Sequence, residues 1–568
     1  MLAARMFSFF AEHFSKKEII VDLIFLVALV LAWLAPGFGK QVFDPIEKFA
    51  SRLAERRVLA IVLIALVTIL IRLGLLEILP VPVPHIHDEF SYLLAADTFA
   101  HGRLTNPAHS MWVFFETIQV NQQPTYMSKY PPAQGAVLAL GQLLGHAWIG
   151  VLLSVAAMCA AILWMLQGWL PPRWALLGGL LVLLRLGIFS YWMNSFWGGA
   201  IPAIGGALVL GATSRLVHLL RGRDALLLGL GAVLLANSRP LEGLVLCVPV
   251  MAYVFVQLSS KATREKTARL PGILLPLSAV VILCAIFVSY YNWRGTGSPL
   301  VFPYMVNEKT YVTTPTLFWE EARHPLRYSN SQFEDFYNGW MRAQWVEGRV
   351  DSIAHAVKHI GLSGIKVVYF FLWPELCLPL VALPWILRDR RTRFLITVTG
   401  VSFLGFLLVP WTQAHYAAPL TGALFALVVQ GIRHLRQWKH GGHPVGVGLS
   451  RVIVLFAVLL APIHPHSQTM GNLAPTGIEY RAEFEKQLAG LPGKHLVIVR
   501  YLPNHAVLQE WVYNRADIDD TKIVWAREIP GMDLNPLLTY FHDRRVWLAE
   551  PDLPVPRLNP YSSSATAP

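Results

Sequence analysis

Two adjacent carboxylates, Asp88 and Glu89, stand in the stretch PHIHDEFSYLLAADTFAHGRL, residues 84–104, just past the end of an apolar run. A carboxylate in that place can deprotonate a hydroxyl or bind a metal. It can equally cap a helix: EFSYLLAADTFAHG has helical character, Asp is a favoured N-cap, and negative charge suits a helix N-terminus. His85 and His87 add a possible metal cluster, although H-x-H in an extended chain directs the two rings to opposite sides.

Other polar residues in apolar surroundings complete the candidates. In TYMSKYPPAQGAVLALGQLLG, residues 125–145, Lys129 precedes two prolines and a short apolar helix. A lysine there can grip a phosphate as a compact point charge, or snorkel to the lipid headgroups. In LLANSRPLEGLVL, Arg239 and Glu242 interrupt an apolar hairpin. Charges at such depth face the protein interior or a wet cavity, so an internal ion pair and a substrate site are both open. Arg185, in LVLLRLGIF, is equally deep and has no evident partner. His415 and Tyr416 in PWTQAHYAAPL, and Asn194 in YWMNSFWGG, suit the wall of a substrate cavity or an interfacial aromatic belt.

The elements that must position these residues are membrane helices. The chain of 568 residues is 55% hydrophobic and 14% charged, against about 25% charged in soluble domains. Apolar runs without alternation recur, each near the roughly 20 residues a spanning helix needs. The net charge of +12 comes from basic residues spread over alternate loops, the positive-inside pattern, and excludes a nucleic-acid patch as its explanation. The four cysteines fall inside apolar runs and form no disulfide framework.

Loop charge sets the topology. KFASRLAERR precedes the span 58–80 and stays cytoplasmic, so Asp88 and Glu89 emerge outside. Eleven spans from 58–80 to 450–464 fit the alternation, with outer loops 81–146 and 294–360, and 19–36 reads as a further membrane-embedded helix of undetermined direction. Residues 1–57 thus form a membrane-associated helix and a basic cytoplasmic segment, and 58–464 the membrane domain. After 465 the composition changes: HLVIVRY, KIVWARE and RVWLAE read as strands, NHAVLQEWVYN and NPLLTYF as helices. That alternation predicts a small extracytoplasmic α/β domain with a largely parallel sheet over 465–568, whose tail SSSATAP reads as disordered.

In combination these pieces resemble the GT-C membrane glycosyltransferases, most nearly the branch holding the protein O-mannosyltransferases, the lipid A aminoarabinose transferase and the Rgt-like bacterial enzymes. That family opens its first outer loop with Asp-Glu, a spaced aromatic and a helix, then a lysine-proline signature and an apolar juxtamembrane helix. The matching residues are Asp88-Glu89, Tyr92, Lys129-Tyr130-Pro131-Pro132 and AVLALGQLLG, with Tyr130 an insertion between lysine and proline. Arg239-Pro240, and Tyr416 with Pro419, match later signatures; the likeness covers residues 80–430.

The resemblance implies a polytopic α-helical protein of GT-C type, with eleven or twelve transmembrane helices in a cytoplasmic (inner) membrane. It implies transfer of a sugar, with inversion, from a polyprenyl-phosphate donor to a glycan, lipid or protein acceptor on the extracytoplasmic face. Asp88 would be the base and Glu89 its support. Lys129 and Arg239 would hold the donor phosphate, and Tyr92, Asn194, Glu242, His415 and Tyr416 would line the cavity. No cofactor is expected, a divalent metal is not called for, and the partners are lipids and substrates, with no nucleic acid. The competing classes are a secondary transporter or lipid flippase, which would place broken helices at the midplane, and a non-catalytic binder of lipid-linked glycans.

Overall fold

The computed structural model describes residues 16–37, 39–259, 264–372, 374–462, 478–503 and 505–561. The tail expected to be disordered lies outside them. The membrane body runs through α1 (Lys16–Leu34), α2 (Lys40–Glu55), α3 (Arg57–Gly74), α4 (His87–Ala100), α5 (Pro132–Leu143), α6 (Ala147–Trp169), α7 (Pro172–Val182), α8 (Ala200–Leu219) and α9 (Gly222–Ala236). It continues through α10 (Pro240–Ser259), α11 (Arg264–Thr296), α12 (Pro303–Tyr311), α13 (Ile353–Leu372), α14 (Arg390–Gly405), α15 (Thr421–Leu435) and α16 (Val445–Leu460). Among the described residues six helices are long and apolar enough to cross a membrane: α3, α6, α8, α10, Leu270–Thr296 of α11, and Ala414–Leu435. Ile20–Leu34, Thr392–Leu408 and Val445–Leu460 are apolar but shorter. Six long and three shorter apolar helices stand against the eleven or twelve spans expected; α7, α9 and α13 lie in the same body but fall short of the length or apolarity of a spanning helix. A helix meets all its backbone hydrogen bonds within one segment, which is why such sequences take this form in lipid.

The direction of α1, open from the sequence, follows from its packing. Phe25 meets Phe456, Ala32 packs with Val445 and Leu449, and Trp33 meets Trp438 edge-on, so α1 runs antiparallel to α16. Its Leu34 end therefore lies beside α2, whose Asp44 and Glu47 pair with Arg451 and Arg436.

The last turn of α13 is followed by Pro374, which has no N–H to offer its carbonyls. Arg185, in a π-helical turn Leu183–Ile188 that extends α7, answers them. Its guanidinium donates to Phe370 O at 3.0 Å and Tyr369 O at 2.8 Å, and lies 3.5 Å from Glu375. The isolated arginine of the sequence is thus the plug of a broken helix.

Between α3 and α6, the loop 81–146 folds into α4, a small antiparallel sheet ordered β1 (Asn106–Pro107), β3 (Thr125–Ser128), β2 (Val120–Asn121), and α5. Pro132 opens α5 at its first turn, where a missing N–H costs nothing. Small residues let α5 lie flat between its neighbours: a Cβ on Gly135 would fall 2.6 Å from Ala95 of α4, and one on Gly141 2.2 Å from the Gly150 backbone of α6.

The C-terminal domain holds α17 (Ile478–Gly490), β4 (Lys494–Val499), β5 (Ile523–Arg527), α18 (Asn535–Tyr540), β6 (Arg544–Glu550) and β7 (Arg557–Pro560). The sheet order is β5-β4-β6-β7, with β4 parallel to both β5 and β6, and β7 antiparallel at the edge. The three predicted strands and the helix in NPLLTYF are present. NHAVLQEWVYN, expected as a helix, has no helix in its described residues. Side chains hold it irregular: Arg481 donates to the carbonyls of Trp511 and Tyr513, His505 contacts Asp552, and buried Glu510 pairs with Arg527. These tertiary bonds outweigh a weak local preference.

The domain shares one core with the loop 81–146. Phe90 and Leu94 of α4, with Phe114, Phe115, Val120 and Tyr126, pack in the same cluster as Trp511, Tyr513 and Trp525.

Candidate active site

Glu89 caps α4, where the sequence suggested Asp88. The carboxylate of Glu89 turns back and accepts from His85 N at 2.7 Å and Ile86 N at 3.2 Å, two amides left free by the start of the helix. It also accepts from Phe196 N at 2.9 Å, across the chain, tying α4 to the turn before α8. Burial raises its pKa to about 7, against the pull of those three amides. The physical reason for the exchange of roles is register. Helix α4 begins at His87 with Ile86 at the cap position, which puts Glu89 three residues on, where a side chain reaches back.

Asp88 is thereby released from capping. Its carboxylate accepts a hydrogen bond from the phenol of Tyr130, and its other oxygen lies 3.2 Å from His87 Nε2. Tyr92 stacks on Tyr130 with ring centroids 4.6 Å apart. The Tyr130 phenol is held well above its usual pKa, first by burial and then by the charge of Asp88, so it stays protonated and donates. The Ser91 and Ser128 hydroxyls, 2.7 Å apart, fasten α4 to β3 and so keep Asp88 and the Lys129-Tyr130 pair in register.

Lys129 is 5% exposed, which rules out snorkelling to headgroups. Its ammonium lies 4.8 Å from the ring centre of Tyr304 and 5.4 Å from that of Tyr130. Among the described residues no carboxylate pairs with it within 4.0 Å. Burial lowers its pKa to about 8, while the charges of Asp88 and Glu308 act to restore it. Lys129 is a desolvated cation surrounded by aromatic faces, and an anion that reached it would meet little competition from water.

Arg239 lies 3.7 Å from Glu242 and packs over the ring of Tyr416 at 4.4 Å. The ion pair is partly exposed, so the arginine keeps donors for a ligand. Burial holds the Tyr92 phenol above its usual pKa, with the charge of Arg239 opposing and that of Asp88 adding to the shift. From Glu242 and Tyr416 a groove continues between α10 and the α14 end, walled by Leu241, Val245, Gly405, Phe406 and Leu420.

The remaining candidates have structural partners. The amide of Asn194 donates to Ile188 O and Ser190 O, and its oxygen accepts from Arg72, so it fastens its own turn. His415 is buried, 2.9 Å from the Tyr191 hydroxyl through Nδ1 and against Trp197, behind the Arg239–Tyr416 pair. Among the described residues no three His, Cys, Asp or Glu side chains gather as a metal site would require, His85 and His87 included.

No protein-family model matches the sequence, and no curated protein does. Solved structures do match. ArnT from Cupriavidus metallidurans in the apo state is 13% identical with a TM-score of 0.48, over 87% of this chain and 92% of that one. The same protein bound to undecaprenyl phosphate is 12% identical with a TM-score of 0.46, over the same shares. The archaeal oligosaccharyltransferase AglB from Archaeoglobus fulgidus, in complex with an inhibitory peptide and a dolichol-phosphate, is 11% identical with a TM-score of 0.35, over 87% of this chain and 69% of that one.

Three contributions escape sequence reasoning. Tyr130 looked like an insertion, and is the direct partner of Asp88. Tyr304 and Glu308 of α12 come from the long second loop, which carries no motif. The C-terminal domain backs the site: Tyr513 stacks flat on Phe90 at 4.1 Å, Arg481 lies over Phe90, and Asp97 accepts from Ala516 N. Arg103 adds a two-pronged bond to Asp517. The helix that presents Asp88 is therefore clamped from behind by residues some four hundred positions away in sequence, a distance seen in the Arg103–Asp517 separation of 414.

Proposed function

We propose that this protein is a membrane glycosyltransferase of GT-C type that moves a sugar from a polyprenyl-phosphate donor to an acceptor hydroxyl on the outer face of the cytoplasmic membrane. The observation that carries the reading is the setting of one carboxylate. Asp88, free of capping duty, is held by the Tyr130 phenol and acts by its charge on Lys129, a buried cation between two aromatic rings, while Arg239 stands beside Tyr416 and Glu242, which line an apolar groove.

Each part has a task in such a transfer. The groove beside Glu242 and Tyr416 takes the first isoprene units, and Lys129 and Arg239 hold the phosphate. Asp88 removes the proton of the acceptor hydroxyl, whose oxygen bonds to the anomeric carbon from the face opposite the phosphate. The bond between that carbon and the phosphate oxygen breaks, its electron pair stays on the phosphate, and the anomeric configuration inverts. Negative charge grows on the phosphate as the bond breaks, so the two cations favour the transition state over the ground state. Fixed cations can meet the growing phosphate charge themselves, so the reaction is proposed to require no cofactor, a divalent metal being possible but not indicated by these residues.

The test is release of undecaprenyl phosphate from a panel of undecaprenyl-phosphate-linked hexoses and pentoses, in membranes that supply native acceptors. Wild-type protein turns over at least one donor, Asp88→Asn abolishes turnover at normal expression, and Lys129→Ala raises the donor KM. Full turnover by Asp88→Asn removes the assignment of the base. Turnover of no donor, with a transported lipid in its place, supports a flippase.

A further inference from the structure

We infer that α2 lies in the plane of the membrane at the face opposite Asp88, seating Val42, Ile46 and Phe49 in the acyl boundary and holding the phosphates of anionic phospholipids with Lys48, Arg52 and Arg56. This surface is remote from the transfer chemistry and independent of it.

The charges of α2 are sorted by face. Asp44 and Glu47, one turn apart, point into the body: Arg451 lies 2.5 Å from Asp44 and 3.0 Å from Glu47, and Arg436 lies 2.5 Å from Glu47. Ala54 is buried, and Ala50 and Leu53 pack against the core of the bundle. Lys48, Arg52 and, at the helix end, Arg56 follow at i, i+4 and i+8, and so share another line of the helix. All three are exposed, and none forms an ion pair among the described residues. Glu55, the remaining carboxylate of α2, stands at its last turn. Between the cations and the buried line runs an apolar stripe at i, i+4 and i+7: Val42, Ile46 and Phe49, which are 64%, 57% and 69% exposed.

The neighbours fix where this helix lies. Its pairs with Arg436 and Arg451 set it beside the Leu435 end of α15 and the Val445 end of α16. It runs directly into α3, whose 18 residues span about 27 Å, close to the thickness of the hydrocarbon layer. The far end of α3 leads to Asp88, so α2 and the candidate base stand at opposite faces of the membrane. On either side of α2 in the chain the exposed surface is also apolar, with Leu31 and Leu34 of α1 and Val58 of α3. A helix in this place meets the headgroup layer, and its stripe and its cations match the two parts of that layer. Val42, Ile46 and Phe49 fit the acyl chains, while Lys48, Arg52 and Arg56 lay their aliphatic stems along the boundary and reach the phosphates. Facing water, the same stripe would leave three large apolar side chains hydrated. The cations select the lipid: with Asp44 and Glu47 neutralised by arginines of the body, the free face is positive. Each such cation favours an anionic surface by about fivefold.

The experiment titrates full-length protein in detergent with phosphatidylglycerol or phosphatidylcholine, reading thermal unfolding by tryptophan fluorescence and bound lipid by native mass spectrometry. Phosphatidylglycerol is expected to raise Tm and to bind at lower concentration than phosphatidylcholine. Lys48→Gln, Arg52→Gln and Arg56→Gln combined are expected to raise the half-saturating phosphatidylglycerol concentration by about tenfold or more, with Tm in phosphatidylcholine unchanged, since these side chains hold nothing within the protein. Equal binding of the two lipids by the wild type, or equal half-saturation in the wild type and the combined variant, overturns the recognition of anionic lipid. A spin label at Phe49→Cys, in protein whose four native cysteines are replaced by alanine, tests the seat of the helix in phosphatidylglycerol vesicles. It is expected to be more accessible to oxygen than to a water-soluble nickel chelate; the reverse order overturns the in-plane placement and leaves the stripe to a soluble partner. Should the cysteine-free protein fail to fold, Phe49→Glu decides instead: a carboxylate in the acyl boundary lowers Tm in those vesicles, and an unchanged Tm overturns the inference.

Discussion

Glu89→Gln and Asp88→Asn exchange one oxygen for one nitrogen in adjacent carboxylates, and the structure assigns them opposite outcomes. One oxygen of Glu89 accepts two amides and the other accepts one, all within a buried site. A glutamine whose carbonyl takes the first place keeps His85 N and Ile86 N but turns its NH2 against Phe196 N, leaving one buried donor unmet. That costs about 1–3 kcal/mol. Glu89→Ala strands all three amides and costs several times as much. Asp88 accepts from a phenol, keeps 16% of its side chain exposed and caps no helix amide, so Asp88→Asn leaves stability near wild type. The assay is thermal unfolding of detergent-purified protein by tryptophan fluorescence, beside release of undecaprenyl phosphate. Glu89→Gln lowers Tm and Asp88→Asn does not, while Asp88→Asn abolishes turnover. A pH series adds a signature. The folded pKa of Glu89 is raised to about 7, so its stabilising contribution is complete below the usual carboxylate range and is lost as pH rises through about 7. Glu89→Gln removes that slope. An equal loss of Tm in Asp88→Asn, or a wild-type Tm in Glu89→Ala, refutes the division of labour.

Three further outcomes follow from the same geometry. Lys129, with its pKa lowered to about 8 by burial, loses its charge above that pH, so kcat/KM for the donor falls on the alkaline side and Lys129→Arg moves that limb upward. Arg185→Met leaves Glu375 buried without its cation and costs about 3–5 kcal/mol, seen as lost Tm; Arg185→Met with Glu375→Gln recovers part of it, and no recovery refutes the pairing. The Phe90–Tyr513 stack gives a coupling of about 0.5–1.5 kcal/mol in a double-mutant cycle with Ala, and Tyr513→Ala lowers kcat more than KM if the C-terminal domain orients α4.

Much of this protein is legible without coordinates because its strongest signals are local. Long apolar runs have one solution in lipid, so the helices could be placed from composition. The three strands of the C-terminal domain announced themselves by short β-branched and apolar runs. The candidate residues near the first loop were equally visible, since a carboxylate, lysine or arginine in apolar surroundings is conspicuous by its cost.

What the sequence by itself determined is the inventory: a helical membrane body, a small largely parallel α/β domain, and a short set of polar residues able to do chemistry. What tertiary structure decided is the role of each. Whether Asp88 or Glu89 caps α4 depends on a single residue of register, and on Phe196 N, which no local pattern links to either. Whether Lys129 snorkels or is buried depends on Tyr304, brought from a distant loop. Arg185 had no visible partner because its acceptors, Tyr369 and Phe370, lie more than 180 residues away. Hydrogen bonds and charges act over a few ångströms in space, and chain separation carries no record of them. The residues were readable; their pairings required the fold.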